Sequence, residues 1–201
     1  LGFASGDVDR DAAPFRLFCD EGLQPWACIS FSKNFGLYSE RAGAVVASCA
    51  SAREAAAVRG HLGKLARALY SNPPAFGARI VEMVLADAAL EARWRECLVV
   101  MSGRIADMRA KLRSALEART ARDWFVPCVC STAYGGLTGV PRRSHITSQV
   151  GMFSYTGLTA PQVLRLRAEH HVYMLESGRL SMAGVTSKNV EPLAAAIAAV
   201  L

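Results

Sequence analysis

The stretch SFSKNFGLYSERAG, residues 30–43, places Lys33 just past a short apolar run of strand length at residues 27–31. Two hydroxyls, Ser30 and Ser32, lie close to this lysine, and Gly36 follows it. A lysine at the end of a buried strand is expected to be partly desolvated, which favours the neutral amine that attacks aldehydes. On spacing alone, the alternative is a solvent-exposed lysine in a polar loop.

Two further side chains of this stretch suit a phosphate. Ser30 and Arg41 lie on either side of Lys33, and a hydroxyl with a planar guanidinium can hold a phosphate dianion. An amine for an aldehyde and a nearby phosphate site together form the chemistry that pyridoxal phosphate uses.

The segments around this stretch alternate between strand and helix signals. A helix over residues 11–21 ends at Gly22, and a second strand covers residues 43–49. Ser51 can cap an alanine-rich helix that runs to residue 70, where Pro73 and Pro74 prevent its continuation. Another helix is predicted over residues 75–85.

The longest periodic segment predicts one continuous amphipathic helix, because its apolar residues are spaced by three or four: Leu90, Trp94, Cys97, Met101, Ile105, Met108, Leu112 and Leu116. A helix of roughly thirty residues is about 45 Å long, which exceeds the need of one small core. We therefore expect two domains, residues 1–100 and 101–201, with the boundary inside this helix.

The second half changes character after Trp124. Residues 125–144 contain no acidic side chain and are loop-like. Strands are then predicted over residues 150–155, 172–175 and 180–183, and helices over residues 161–170 and 189–201. Strands that alternate with helices indicate the α/β class.

Composition excludes several kinds of protein. A chain of 201 residues that is 52% hydrophobic is not intrinsically disordered, and the uncharged stretch between Arg41 and Arg53 is too short and too polar to span a bilayer. The net charge of +6 comes largely from arginines scattered on helical segments (Arg104, Arg109, Arg113, Arg119 and Arg122), which indicates a solvated helix face rather than a nucleic-acid surface. We expect neither nucleic acid nor a membrane as partner.

The cysteines and the first residues of the sequence give little information on function or compartment. The six cysteines show no C-x-x-C pair and only four histidines accompany them, so we expect reduced thiols and no metal site. Neither a signal peptide nor an initiating methionine is present at Leu1, which leaves the compartment open between the cytoplasm and an organelle matrix.

Residues 30–43 closely resemble the pyridoxal-phosphate lysine segment of the aspartate aminotransferases. The resemblance continues at residues 2–6, 70–74, 77–81, 145–147, 149–153 and 177–179, and it covers nearly the whole chain except residues 125–144. It implies a fold-type-I transferase dependent on pyridoxal phosphate, of which this chain is the end of the large domain and the small C-terminal domain.

The resemblance also implies residue roles. Lys33 corresponds to the lysine that forms the Schiff base with the cofactor and then moves the proton as general base. Ser30 and Arg41 correspond to residues that bind the cofactor phosphate. Arg179 matches the arginine that holds the substrate α-carboxylate, and Arg67 matches one that reaches into the neighbouring subunit and favours dicarboxylates. A homodimer acting on amino and oxo dicarboxylic acids is therefore implied, although some relatives that accept aromatic substrates share the last arginine.

The chain departs from the family pattern in two ways. It is about half as long, and the family's tyrosine and aspartate that contact the cofactor ring are expected just before Leu1. Residues 125–144 interrupt a place where the family is almost continuous, either as a surface insertion or, as the acid-free composition favours, as translated intron or a gene-model error.

We therefore interpret the chain as the C-terminal half of an aspartate aminotransferase. We expect the full-length reaction to be transamination between L-aspartate and 2-oxoglutarate by a ping-pong mechanism. The alternative is a catalytically incompetent fragment or interaction module derived from an aminotransferase, whose uncovered apolar face would promote pairing or aggregation.

Overall fold

The computed structural model describes residues 1–120 and 145–201, and the chain divides into two units, Leu1–Val100 and Met101–Leu201. The division falls within the long helix predicted from its apolar spacing, which runs over Ala88–Thr120. The proposed insertion at residues 125–144 lies outside the described residues, as does Arg122.

The first unit is mostly helical and contains one two-stranded antiparallel sheet. The predicted helix over residues 11–21 is two helices, because the backbone turns at Ala12 and the second helix starts with a proline at its first turn. The elements in chain order are α1 (Val8–Asp11), α2 (Ala13–Asp20), β1 (Trp26–Ser30), β2 (Gly43–Ala47), α3 (Ala52–Tyr70), α4 (Phe76–Ala86) and the first part of α5 (Ala88–Thr120).

Helix α3 has the boundaries that its flanking residues predict. The Ser51 hydroxyl accepts a hydrogen bond from the Glu54 N–H at 3.2 Å, and the Glu54 carboxylate accepts one from the Ala50 N–H at 2.8 Å. The first bond satisfies a donor that the helix start otherwise leaves unpaired, and the second ties the residue before the cap to the first turn. The helix ends before Ser71, whose φ of 67° lies in the left-handed region.

Strands β1 and β2 form a tight pair, with Ser30 opposite Gly43. A Cβ at position 43 would lie 2.6 Å from the carbonyl oxygen of Ile29, so this approach requires glycine. The expectation that β1 is buried is wrong for the described residues: Cys28 and Ser30 are exposed. A sheet of two strands is too narrow to cover both of its own faces.

The second unit contains the rest of α5 and a second two-stranded antiparallel sheet. Its other elements are α6 (His145–Ser148), β3 (Phe153–Tyr155), α7 (Ala160–His170), β4 (Arg179–Ser181), a 3-10 turn (Met182–Gly184) and α8 (Val190–Val200). Strand β3 pairs with β4, so that Tyr155 lies opposite Arg179.

The predicted strand over residues 172–175 is wrong. The Val172 N–H donates to the Leu166 carbonyl at the end of α7, and His171 before it has a φ of 54°. The Leu175 carbonyl accepts from the Gly178 N–H in a turn. The backbone groups of this segment therefore close a helix and a turn, and β4 pairs with β3 instead.

A continuous apolar core holds the second unit together. Helix α5 supplies Ile105, Met108, Leu112 and Leu116, all buried. They are joined by buried side chains from the other elements: Ile146, Leu158, Val163, Leu166, Leu180, Met182, Val185, Val190, Ala194, Ile197 and Val200. Burial on this scale is the main stabilising contribution to the unit.

Arg109 contradicts the expectation of a solvated helix face. Its exposed fraction is 3%, and its guanidinium lies inside the second unit. Arg104 is exposed, but it donates to the carbonyl of Val185 at 2.8 Å.

Within residues 1–120 and 145–201, no helix is both long and apolar enough to cross a membrane. The same residues contain no cluster of three or more potential metal ligands. The cysteines among them, Cys19, Cys28, Cys49 and Cys97, are free thiols, whereas Cys128 and Cys130 lie outside the described part.

Candidate functional site

The loop between β1 and β2 brings three of the predicted site residues together. The Phe31 N–H donates to the Ala42 carbonyl at 3.1 Å and closes the loop just beyond the sheet. Ser30 and Arg41 directly precede these two residues at the base of the loop, and Lys33 lies within it. A hydroxyl, an amine and a guanidinium thus come from one closed loop.

Backbone hydrogen bonds give this loop a compact turn. The Phe31 carbonyl accepts from the N–H groups of Phe35 and Leu37, both at 3.3 Å. The Lys33 carbonyl accepts from the Gly36 N–H at 3.3 Å, and Gly36 has a φ of 69° that side-chain-bearing residues rarely adopt. The backbone at Lys33 is therefore held by the turn itself.

Helix α5 fixes the same loop through Trp94. The indole N–H of Trp94 donates to the Asn34 carbonyl at 2.7 Å. Its ring stacks on Phe35 with centroids 4.6 Å apart, and Phe31 meets Phe35 edge-on at 5.4 Å. Sequence reasoning treated Trp94 only as part of an apolar helix face; an indole N–H, which seeks an acceptor when buried, was the available signal.

Lys33 itself is exposed, which corrects the expectation of partial desolvation. Its Nζ lies 5.8 Å from the centroid of the Tyr38 ring, within the range of a cation–π contact. The neighbours on each side, Ser32 and Asn34, are buried. The Asn34 Oδ1 atom is buried with no hydrogen-bond partner in the described residues. The backbone on both sides of Lys33 is therefore anchored, while the Lys33 side chain itself is exposed.

Ser30 and Arg41 carry the groups that suit an anion. The Ser30 hydroxyl lies 3.0 Å from that of Ser32 and also accepts from the Ser32 N–H at 3.2 Å. Arg41 adopts a φ of 52° and donates from Nη1 to the Tyr38 carbonyl at 3.0 Å. This bond ties one guanidinium nitrogen to the loop and leaves further donors for a ligand.

Arg67 lies in the last turn of α3 and is exposed. Its Nη1 donates to the Ser71 hydroxyl at 2.6 Å. No carboxylate of the described residues forms an ion pair with it. Arg67 belongs to the first unit but not to the loop of Lys33.

Arg179 opens strand β4 in the second unit and is half-buried. Its guanidinium carbon lies 4.6 Å from the centroid of the Phe153 ring on the neighbouring strand. Within residues 1–120 and 145–201, no carboxylate pairs with this cation. A guanidinium that lies over an aromatic ring keeps N–H donors for a planar anion such as a carboxylate.

Strand β3, which carries Phe153, is bordered by two polar side chains. The Gln149 amide donates to the Tyr155 carbonyl at 3.0 Å and accepts from its N–H at 2.7 Å. Arg109 donates to the Phe153 carbonyl at 2.5 Å. Sequence reasoning missed both contacts.

Known proteins resemble this chain over its whole length. Residues 1–197 match the family described as aminotransferase class I and II. The mitochondrial aspartate aminotransferase of Dictyostelium discoideum is 44% identical over 200 residues, which cover 99% of this chain and 42% of that protein. The mitochondrial enzyme of Arabidopsis thaliana is 43% identical over 197 residues, which cover 98% of this chain and 41% of that protein.

Solved structures of aminotransferases also match this chain. A mitochondrial aspartate aminotransferase from Trypanosoma brucei has a TM-score of 0.83 at 42% identity, covering 99% of this chain and 48% of that one. An aromatic-amino-acid aminotransferase from Burkholderia pseudomallei, covalently bound to pyridoxal phosphate, has a TM-score of 0.84 at 40% identity, covering 100% of this chain and 45% of that one. The chain thus spans less than half the length of these relatives.

Proposed function

This chain belongs to the class I and II aminotransferases, and from that premise we propose that the protein carrying it transfers an amino group between L-aspartate and 2-oxoglutarate, giving oxaloacetate and L-glutamate. The observation that carries the proposal is the closed loop that gathers Ser30, Lys33 and Arg41. The aspartate aminotransferases among the relatives support the choice of substrates.

The residues of the loop fit the cofactor of this family, pyridoxal 5′-phosphate. The Ser30 hydroxyl and the Arg41 guanidinium are suited to its phosphate, and the Lys33 amine is suited to its aldehyde. When bound, this cofactor supplies an electron sink that stabilises negative charge at the substrate Cα.

Lys33 acts in two capacities in this proposal. Its amine would hold the cofactor by condensing with the aldehyde, which releases water. Once a substrate amine had taken its place, the freed Lys33 amine would accept the proton from the substrate Cα and return it on the other side of the transferred nitrogen, as a general base and acid. The anchoring of the loop by Trp94 supports this role, because proton transfer depends on a fixed position of the amine.

The two remaining arginines account for substrate choice. Arg179, which lies over the Phe153 ring, binds the α-carboxylate in a two-pronged contact. Arg67, exposed at the end of α3, binds the side-chain carboxylate at the site of a second subunit, so the working protein is a homodimer. The aromatic aminotransferases among the structural relatives favour aromatic amino acids as a second class of substrate.

The test uses the intact protein that carries this chain. It is loaded with pyridoxal phosphate, reduced with borohydride and digested, and the modified peptide is identified by mass spectrometry. We expect the label on Lys33, loss of the label in Lys33→Arg, and full labelling in the matched control Lys64→Arg, which changes an exposed lysine of α3. Label that survives Lys33→Arg unchanged contradicts the assignment of Lys33.

Substrate choice is measured in the same preparation. Aspartate and phenylalanine are compared as amino donors to 2-oxoglutarate. We expect Arg67→Gln to lower kcat/KM for aspartate much more than for phenylalanine. Equal losses on both donors contradict the role of Arg67.

A further inference from the structure

Arg109 is a buried arginine whose partners are all backbone carbonyls. Its Nη1 donates to the Ile146 carbonyl at 2.8 Å, and its Nη2 donates to those of Gly151 at 3.0 Å and Phe153 at 2.5 Å. The guanidinium thus joins α5 to three points of one segment, residues 146–153, that leads into β3.

The charge of Arg109 is not balanced by a carboxylate of the described residues. Burial lowers the pKa of its guanidinium, but an arginine remains protonated at neutral pH. The Nε atom is buried with no hydrogen-bond partner in the described residues. A buried cation is costly, so the three carbonyl contacts are what keeps it in place.

The segment that Arg109 holds ends at the ring beneath Arg179. Phe153 contributes its carbonyl to Arg109 and its ring to the Arg179 guanidinium, 4.6 Å away. Two residues later, Tyr155 lies opposite Arg179 in the sheet. A shift of this segment therefore moves the surface on which the Arg179 guanidinium lies.

We propose that Arg109 is a positioning residue: by fixing residues 146–153 it sets the place of the Phe153 ring and, through that ring, the orientation of the Arg179 guanidinium. The consequence for substrate binding rests on the proposed function, in which Arg179 holds the α-carboxylate. The effect on the guanidinium itself does not depend on turnover.

A lysine cannot replace Arg109 in this role. Three carbonyls meet the planar fork of a guanidinium, whereas an ammonium is a single point charge on a flexible stem. Arg109→Lys therefore keeps the charge and loses the geometry. Arg165→Lys is the matched control, since Arg165 is a half-exposed arginine of α7 paired with Glu169 in the same unit.

The first readout is the Nε–Hε resonance of Arg179 in the intact protein, assigned as the signal that Arg179→Lys removes. The Phe153 ring shifts this resonance by its ring current. We expect Arg109→Lys and Phe153→Leu to move it towards the position of exposed arginines, and Arg165→Lys to leave it in place. Backbone amide spectra establish that each variant is folded.

The second readout separates binding from chemistry. Since the loss of one charge-assisted hydrogen bond to a carboxylate weakens binding at least about tenfold, we expect Arg109→Lys to raise KM for aspartate and 2-oxoglutarate about tenfold with kcat within about twofold. A loss of stability alone would lower the active fraction, and hence kcat, without changing KM.

A folded Arg109→Lys protein whose Arg179 resonance is unmoved, or whose KM is that of the wild type, overturns the proposal. If that variant does not fold, Phe153→Leu decides: an unmoved Arg179 resonance in it overturns the proposal. Absence of transamination in the wild type, or an Arg179→Lys variant with wild-type KM, refutes the proposed function instead, and the Arg179 resonance still decides the role of Arg109.

Discussion

Gly178 occupies a position next to Arg179 that tolerates no side chain. Its φ is +79°, and a Cβ built on it would lie 2.9 Å from the Leu158 carbonyl oxygen. Its own carbonyl accepts from both the N–H and the hydroxyl of Thr156, each at 2.9 Å. Gly178→Ala therefore strains the backbone and creates a steric conflict with a backbone oxygen, which no side-chain rotation relieves.

The size of the effect follows from these two contributions. A left-handed conformation costs an L residue about 1–2 kcal/mol. Overpacking against a fixed atom adds about 1–3 kcal/mol. We expect Gly178→Ala to lower the free energy of unfolding by about 2–5 kcal/mol.

Two other glycines of the same unit separate the contributions. Gly151 has a φ of +83° with nothing within 4 Å of a built Cβ, so Gly151→Ala carries the backbone strain alone, about 1–2 kcal/mol. Gly184 has neither a positive φ nor a near neighbour. Gly184→Ala is expected to change stability by less than about 1 kcal/mol, because alanine restricts the unfolded chain.

The assay is urea unfolding of the intact protein and the three variants, followed by circular dichroism. Equal slopes against urea show that the same surface is exposed in each case, and the midpoints then give the stabilities. A Gly178→Ala variant no less stable than Gly151→Ala would refute the steric argument. A Gly151→Ala variant as stable as Gly184→Ala would refute the argument from backbone strain.

Three other substitutions test separate contacts. Trp94→Phe removes the hydrogen bond to the Asn34 carbonyl and keeps an aromatic ring, so we expect a loss of about 1 kcal/mol and faster amide exchange in the loop of Lys33. Hydrogen-bonded ion pairs with Arg16 and Arg95 hold the pKa of Asp9 below its ordinary value of 3.8. The stabilisation of the folded protein by ionised Asp9 is therefore present above pH 3.8 and is lost as the pH falls through the lower folded-state pKa. We expect Asp9→Asn to flatten the dependence of unfolding on pH in this acid range. Leu166→Ala empties a fully buried site and is expected to cost about 2–5 kcal/mol in urea unfolding.

Each of these substitutions has a matched control. Trp26→Phe changes a tryptophan that is 54% exposed, and equal exchange in both tryptophan variants would contradict the anchoring contact. Asp20→Asn removes an exposed carboxylate without an ion pair among the described residues, and an acid profile like that of Asp9→Asn would exclude a specific effect. Leu164→Ala changes a leucine that is 46% exposed, and a cost equal to that of Leu166→Ala would contradict the burial argument.

The helices could be predicted because their signals are local. Helix α3 begins after Ser51 and ends before a pair of prolines, and α5 follows from its apolar spacing alone. The pairing of β3 with β4 could not be predicted, because alternation of apolar and polar residues identifies a strand but not its partner. Residues 172–175 have strand-like side chains, but their backbone groups close α7 and a turn.

The candidate site was predictable only in part. Residue spacing gave Lys33, Ser30 and Arg41 a plausible chemistry, and the roles of Arg67 and Arg179 depended on family resemblance; all these roles remain predictions. Arg109 was assigned to the solvated face, because acids near it in sequence suggest a surface position. Its acceptors lie 37 to 44 residues away, a distance at which sequence patterns carry no information.

The outer edge of β3 has a consequence for self-association. An open strand edge is a template on which another molecule can add a strand. Here the Gln149 amide occupies both backbone groups of Tyr155, and the Arg109 guanidinium occupies the carbonyl of Phe153. Two side chains thus terminate the sheet, so a foreign strand would have to displace both before it could extend β3. The contacts that shape the surroundings of Arg179 also protect this edge from β-aggregation.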